Sequence, residues 1–314
     1  MKKLTICYLP HRPSRIKFVN IVFHYLSLIS DEHKKKICVK ILYAGNAHIW
    51  QQVAENLVSK GIETYTAEFP FTLNYMDKIQ LACESDTEYC CKLDDDSWIS
   101  NHLWEYIIDN IDILSDDKNT VLAPQLSISI PQIEPFIEGL GTPEEIKEMY
   151  NLFHAFKFEP LWGVDYTPLN VVNETTKEWD KDLFYNEVNK INHHYKGIHP
   201  LRMQEESQIK INDLALRHYD KIREKQNYSL EIKQVPYLTN NVFFIKTQTW
   251  KKIVEDKSLF KDAFDEVPLN LYIHQNNFNY VFTKEGYGIH IFYNCIPNFE
   301  ALTDVYFEKY MRVL

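Results

Sequence analysis

The chain reads as an α/β protein with a mostly parallel sheet, helices on both faces and a helical/loop insertion. Three observations predict it. Short strand-like runs at 4–9, 37–43, 62–67 and 89–93, the first and last of them largely apolar, alternate with stretches of helical period. The last of these runs ends abruptly in three acids, Asp94, Asp95 and Asp96. Composition adds the third: 45% hydrophobic and 25% charged residues over 314 positions, as in an ordinary globular protein.

Taken in order, residues 4–9 predict the first strand, followed by the loop Pro10-His-Arg-Pro-Ser-Arg15. Apolar residues at 18, 19, 22, 23, 26 and 29 form one stripe and predict a helix over 16–29. A second strand covers 37–43 and is ended by Ala44-Gly45-Asn46. A helix over 50–59 stops at Lys60-Gly61, a usual C-terminal signal. The third strand, 62–67, and the acid-tipped fourth, 89–93, complete the alternation that argues for parallel pairing. Beyond Trp98 the pattern predicts a helix over 103–114 and a strand over 120–123. Residues 125–235 are richer in Pro, Glu, His and Tyr and read as helices and loops, with no repeat. From Tyr237 a strand and a helix start return, then a helix over 267–274 and a β-like run over 286–294. The resulting division is 1–124, an insertion at 125–235, and 236–314 completing the sheet domain.

The acids carry the chemistry. A buried strand does not hold three carboxylates, so they emerge where the strand leaves the sheet, and in an open α/β sheet that edge borders the ligand crevice. Packed together they repel, which leaves full solvation or a hard divalent cation. Mg²⁺ or Mn²⁺ held by one or two carboxylates completes its shell with substrate phosphates. The bland alternative is a charge run on a solvated face.

The segment Met76-Asp-Lys-Ile-Gln-Leu-Ala-Cys-Glu-Ser-Asp-Thr-Glu-Tyr-Cys-Cys-Lys-Leu-Asp-Asp-Asp96 resembles the centre of GT-A glycosyltransferases, where a helix bearing a basic residue leads to a strand ending in Asp-x-Asp. The resemblance covers the first third of the chain well and a stretch near the C-terminus more loosely. It implies a Rossmann-like fold, a nucleotide-diphosphate sugar donor, a saccharide or lipid-linked acceptor, and Mn²⁺ or Mg²⁺ at Asp94 and Asp96. Asp95 would then face ribose or sugar hydroxyls, since neighbouring strand residues point apart.

Other candidates follow from position. His11, Arg12 and Arg15 leave the first strand at the crevice edge, and arginine's fork suits a diphosphate; solvating a loop is the plain alternative. Asn46, closing the second strand, could contact the base, and Lys78 matches the family's basic residue before the acids. Asn240 and Asn241 stand where neutral amides hold sugar hydroxyls, or form a polar turn. Asp265 or Glu266 resembles the catalytic acid of inverting members; the alternative is an acid complementing a helix dipole. His290, in an apolar run after two glycines, is either a late-strand metal ligand or a core histidine. The cluster His193, His194 and His199 fits no zinc spacing.

Several classes are disfavoured. A formal charge of −10 argues against nucleic acid as the main partner. With 8 glycines and no Gly-x-Gly-x-x-Gly or P-loop pattern, dinucleotide and P-loop enzymes are disfavoured. Cysteines at 7, 38, 83, 90, 91 and 295 form no Cys-x-x-Cys pair and read as reduced thiols of a cytoplasmic protein. No run of about 18 apolar residues predicts a transmembrane segment. Peripheral membrane contact stays open for a lipid-linked acceptor. The rivals to glycosyl transfer are nucleotidyl transfer to a sugar phosphate, against which the glycine-free loop 10–15 speaks, and a non-catalytic carbohydrate-binding role.

Overall fold

The computed structural model describes residues 2–10, 13–69, 84–152, 200–202, 204–235, 237–239, 241–259, 266–291 and 298–314, with residues 13–15 and 200 as backbone only. His11, Arg12, Lys78, Asn240, Asp265 and the histidine-rich stretch 193–199 lie outside these, as does the side chain of Arg15. The chain forms two compact units. One comprises Met1–Gln125, Asp220–Gln234 and Asn240–His290; the other comprises Leu126–Tyr219, Val235–Thr239 and Ile291–Leu314.

The first unit is built on a sheet of β1 (Leu4–Leu9), β2 (Ile37–Tyr43), β3 (Glu63–Glu68), β4 (Tyr89–Asp94), β5 (Ser97–Ile99), β6 (Asn119–Leu126), β7 (Ser229–Lys233), β8 (Val242–Lys246) and β9 (Asn279–His290). Their order is β3-β2-β1-β4-β8-β6-β9-β5, with β7 also paired to β9. The α/β expectation holds. β3, β2, β1 and β4 run parallel, in the register Leu4↔Ile37, Leu4↔Tyr89 and Cys38↔Glu63. Beyond β4 the sheet turns mixed: β8 is antiparallel to β4 and β6, and β9 is antiparallel to β5 and β7.

All six residues of β1 are buried. Successive strand side chains point to opposite faces, so both faces of this strand are covered, which is why it reads as a continuous apolar run. β3 ends the row and looks different, its Glu63 and Glu68 exposed to solvent. Charge on an edge strand discourages pairing with another chain.

The helices start and stop where the sequence supplies caps. The helix expected over 16–29 opens as a 3₁₀ turn, Pro13–Phe18, and becomes α-helical over Val19–Ser27. Helix Ala47–Ser59 begins after Asn46, whose left-handed backbone (φ 56°) an asparagine tolerates better than most residues. It closes on Gly61 at φ 83°, with Ile62 N–H bonded to Leu57 O and Gly61 N–H to Val58 O. That bond pair is the left-handed cap glycine favours. Trp50 from this helix stacks on Tyr43 at 6.3 Å and lies 6.2 Å from Tyr8, tying the helix to β1 and β2. Helix Asn101–Asn110 is capped by Ser100, whose hydroxyl accepts from Leu103 N–H. A short helix, Asp31–Lys36, was not legible: it buries no residue and therefore has no apolar stripe, only the Ser30 cap and acids before lysines. The four described cysteines, Cys7, Cys38, Cys90 and Cys91, are buried and form no disulfide, and no described helix is long and apolar enough to cross a membrane.

The second unit is helical where described: Ile133–Leu140, Pro143–Asn151, Glu205–Arg217 and Phe299–Val313. The C-terminal helix is held to Glu205–Arg217 by Tyr306 donating to Asp213 Oδ1 (2.7 Å) and Tyr310 to Asn212 Oδ1 (3.1 Å). Thr142 and Glu145 form a reciprocal capping box, and Glu145 also meets Arg217 and His218, each at 2.8 Å. Burial alone would raise the Glu145 carboxyl, but the Thr142 N–H, His218 and Arg217 outweigh it and hold it at about 2. A carboxyl depressed from 4.5 stabilises the folded state above that value, and the contribution is lost as pH falls towards 2. Glu145→Gln should therefore flatten the acid limb of stability below about pH 4.5. The flattening expected is on the order of 2 kcal/mol, discounted for the half-exposed Arg217. Urea melts followed by helical circular dichroism at pH 3 and pH 7 check this; parallel losses in both proteins would refute it.

Candidate functional site

β4 carries its apolar run to the sheet edge and delivers the acids there. Tyr89, Cys90, Cys91 and Leu93 are essentially inaccessible, and Asp94 closes the strand with 22% of its side chain exposed. A turn at Asp95-Asp96 then leads directly into β5. The three acids stand where β4 ends, but they are not equally open to solvent. Asp95 is 1% and Asp96 5% exposed, in the turn between β4 and β5. Full solvation is therefore not the outcome for these two. A buried carboxylate is sustained by hydrogen bonds, an opposite charge or a metal.

Two later segments complete the corner. β8 runs antiparallel to β4, so its first residues arrive at the edge where β4 ends. Asp94 N–H donates to Asn241 O at 3.0 Å, and Asn241 Nδ2 reaches Asp94 Oδ2 at 3.4 Å. β9 pairs with β5 in the register Ser97↔His290, which sets His290 beside the acid turn. Its Nε2 lies 3.7 Å from Asp96 Oδ1 and 3.4 Å from Asn241 Nδ2. Asp96 Oδ1 also accepts from Ser97 Oγ at 3.4 Å.

Gly286, before His290, has a local reason. A Cβ on Gly286 would come within 2.4 Å of Thr283 Oγ1 and 2.8 Å of Leu103 Cδ1, so no side chain fits where β9 passes helix Asn101–Asn110. Just before it, Glu285 takes φ 57°.

Sequence reasoning missed Lys92. This lysine sits inside the apolar run of β4, is 1% exposed, and places Nζ 2.7 Å from Asp94 Oδ1. Residues 92 and 94 share a face of the strand, which is what brings the ammonium to the carboxylate. The signal was a single cation in a strand otherwise fit for burial on both faces, which demands a nearby anion.

The remaining candidates are placed less closely. Asn46 is exposed at the end of β2, on the same edge of the sheet as Asp94. Glu266 opens helix Glu266–Gln275, the position where an acid complements the helix dipole; its carbonyl accepts from Asn270 Nδ2 at 2.7 Å. Among the described residues no trio of His, Cys, Asp or Glu is close enough to hold a metal ion by itself. A separate cleft of about 970 Å³ opens at the opposite ends of β1 and β4. Three of its lysines are already ion-paired (Lys2 with Glu63, Lys3 with Asp112, Lys246 with Asp117), so it is a charge-balanced surface feature rather than a second acid corner.

No family model and no curated protein matches this chain. Among solved structures it is similar to S. aureus TarS 1-349 in complex with UDP-GlcNAc, at 13% identity over 40% of this chain and 34% of that chain, TM-score 0.32. It is also similar to GalNAc-T7 with UDP, GalNAc and Mn²⁺, at 11% identity over 93% of this chain and 44% of that chain, TM-score 0.49. The apo-form glycosyltransferase GlyE of Streptococcus pneumoniae TIGR4 shares 12% identity over 40% of this chain and 30% of that chain, TM-score 0.29. The chain spans less than half the length of each. These likenesses are loose, and what the acid corner does has to come from its own residues.

Proposed function

We propose that the protein is a glycosyltransferase that moves a sugar from a nucleotide-diphosphate sugar to a hydroxyl acceptor with a divalent cation, Mn²⁺ or Mg²⁺. One observation carries this. Asp96 and His290, both buried, converge from different strands at the edge where the parallel strands end, beside Asp94 and Asn241. Ligands bind at that edge in open α/β sheets.

The donor set fits the cation. A carboxylate oxygen and an imidazole, with a second carboxylate adjacent, suit a hard divalent ion whose shell phosphate and water complete. Asp96 and His290 would hold it, with Asp94 alongside. When bound, such an ion neutralises charge building on the departing diphosphate. The chain's own groups do the rest. Asp94, Asp95 and Asn241 accept from or donate to ribose and sugar hydroxyls. Arg12 and Arg15, which follow β1 in the sequence, pair with the diphosphate, and Lys78 adds a further cation. Asn46 faces the base. Asp265 or Glu266 takes the proton of the acceptor hydroxyl if configuration inverts, and that removal is worth about 10²–10⁴-fold.

A thermal-shift titration tests the reading. UDP and Mn²⁺ together should raise the melting temperature by several degrees, as expected for ligand near 100 times its dissociation constant (roughly 2.7 kcal/mol). UDP-GlcNAc should then release UDP more slowly once EDTA is added. No shift with any nucleoside diphosphate would sink the reading, and consumption of a nucleoside triphosphate with sugar phosphate would replace it by nucleotidyl transfer. Glu266→Gln and Asp265→Asn, compared at saturating donor, identify the base; it loses at least about tenfold in turnover.

A further inference from the structure

His290 is the last residue of β9 and its pair, Ser97, is the first of β5, so the corner's imidazole hangs on the closing pair of that ladder. End pairs open most easily. The next residue, Ile291, is fully buried, and a side chain takes up its carbonyl: Asn212 Nδ2 donates to Ile291 O at 2.9 Å. Asn212 lies on helix Glu205–Arg217 and is itself inaccessible to solvent. The same Nδ2 donates to Gln208 O at 2.9 Å, and Oδ1 accepts from the Tyr310 hydroxyl of the C-terminal helix at 3.1 Å. Carbonyl oxygens only accept, so two of them on one side fix which end of the amide is nitrogen. Asn212, Tyr310 and Ile291 belong to the same compact unit, and one peptide bond joins Ile291 to His290.

We infer that Asn212 is a positioning residue for His290: by clamping the carbonyl of Ile291 it stops the end of β9 from fraying and keeps the imidazole beside Asp96. The inference deepens the function proposed above and rests on it for the role of His290. Its logic is geometric. With the clamp, the backbone of His290 is fastened on both sides, by its pairing with Ser97 and by the bond one residue on. A ligand side chain has to stay within about 0.5 Å of its productive place. On a fraying strand end the imidazole is in place for only part of the time, and the apparent affinity for a cation falls by that fraction. Packing alone does not call for asparagine here. A leucine of similar volume would fill the space without desolvating an amide.

Two measurements test the inference, the first without any ligand. In Asn212→Leu, amide hydrogen exchange across residues 286–291 should quicken about tenfold while β1 exchanges as before. Mn²⁺ should bind about tenfold more weakly. Tyr310→Phe removes the hydroxyl that orients the amide and should move both readouts the same way by a smaller factor. Tyr306→Phe is the control. Its hydroxyl joins the same two helices through Asp213 Oδ1 and Ile209 O, away from the Asn212 amide, so its loss should change neither readout. Unaltered exchange at the end of β9 in Asn212→Leu overturns the inference, as does faster exchange with Mn²⁺ affinity intact. So does a Tyr306→Phe protein that matches Tyr310→Phe, because the effect is then a general loosening of the helix pair. If Asn212→Leu does not fold, Tyr310→Phe against Tyr306→Phe decides on the same two readouts. If the unaltered protein binds no Mn²⁺, the proposed function falls; faster exchange in Asn212→Leu then still upholds the clamp, and unchanged exchange overturns it.

Discussion

Asp96→Asn is expected to lower transfer by on the order of 10²–10³-fold and to abolish the melting-temperature rise given by UDP with Mn²⁺. The amide keeps the shape of the side chain and can still accept from Ser97, so packing under β5 is preserved. What is lost is the negative charge facing His290 across 3.7 Å. Without ligands the variant should melt at the same temperature as the parent or above it, since one of three adjoining carboxylates no longer repels the others. Loss of activity with intact or raised stability identifies a site at which function is kept at some cost to the fold. The decisive measurement is turnover of a nucleotide sugar with and without chelator in both proteins. A variant as active as the parent would remove Asp96 from the cation side altogether.

Asp94→Ala should have the largest effect on stability, costing about 3–5 kcal/mol, because it strips a charged partner from a buried ammonium. The two ends of this ion pair are not equivalent. Asp94, with 22% of its side chain exposed, can recover water if Lys92 is removed; Lys92, at 1%, has no comparable access if Asp94 is removed. Lys92→Met should therefore cost distinctly less than Asp94→Ala, even though each breaks the same contact. Equilibrium urea unfolding of both variants decides the order. Equal losses would mean that the contact contributes through geometry alone, and the reverse order would mean that the methionine does not fit the strand.

Much of the first unit could be read from the sequence because its strands are buried on both faces. Largely apolar runs such as Leu4–Leu9 and Ile37–Tyr43 mark themselves, and the Lys60-Gly61 stop signal marks the helix between β2 and β3. The place where β4 ends was legible for the same reason: acids cannot continue a run of that kind. What followed was not. β5 is only Ser97–Ile99, too short to show a period, yet it decides that Asp95 and Asp96 turn inward and that His290 stands next to them. β7, Ser229–Lys233, lay hidden in a stretch whose polar composition resembles loop, and its partner is the distant β9. Lys92 was passed over because apolar neighbours make a strand conspicuous and a single charge within it easy to discount.

The pairing of β5 with β9 joins residue 97 to residue 290, and this separation governs when the corner exists. During synthesis the acids leave the ribosome long before their imidazole neighbour. Until residue 290 has emerged and zipped onto β5, the imidazole that faces Asp96 is missing from that edge. Competence for ligand capture thus comes late, as a by-product of topology. A ribosome-stalled fragment ending before β9 should be blind to manganese and uridine diphosphate, even if its first four strands have already assembled.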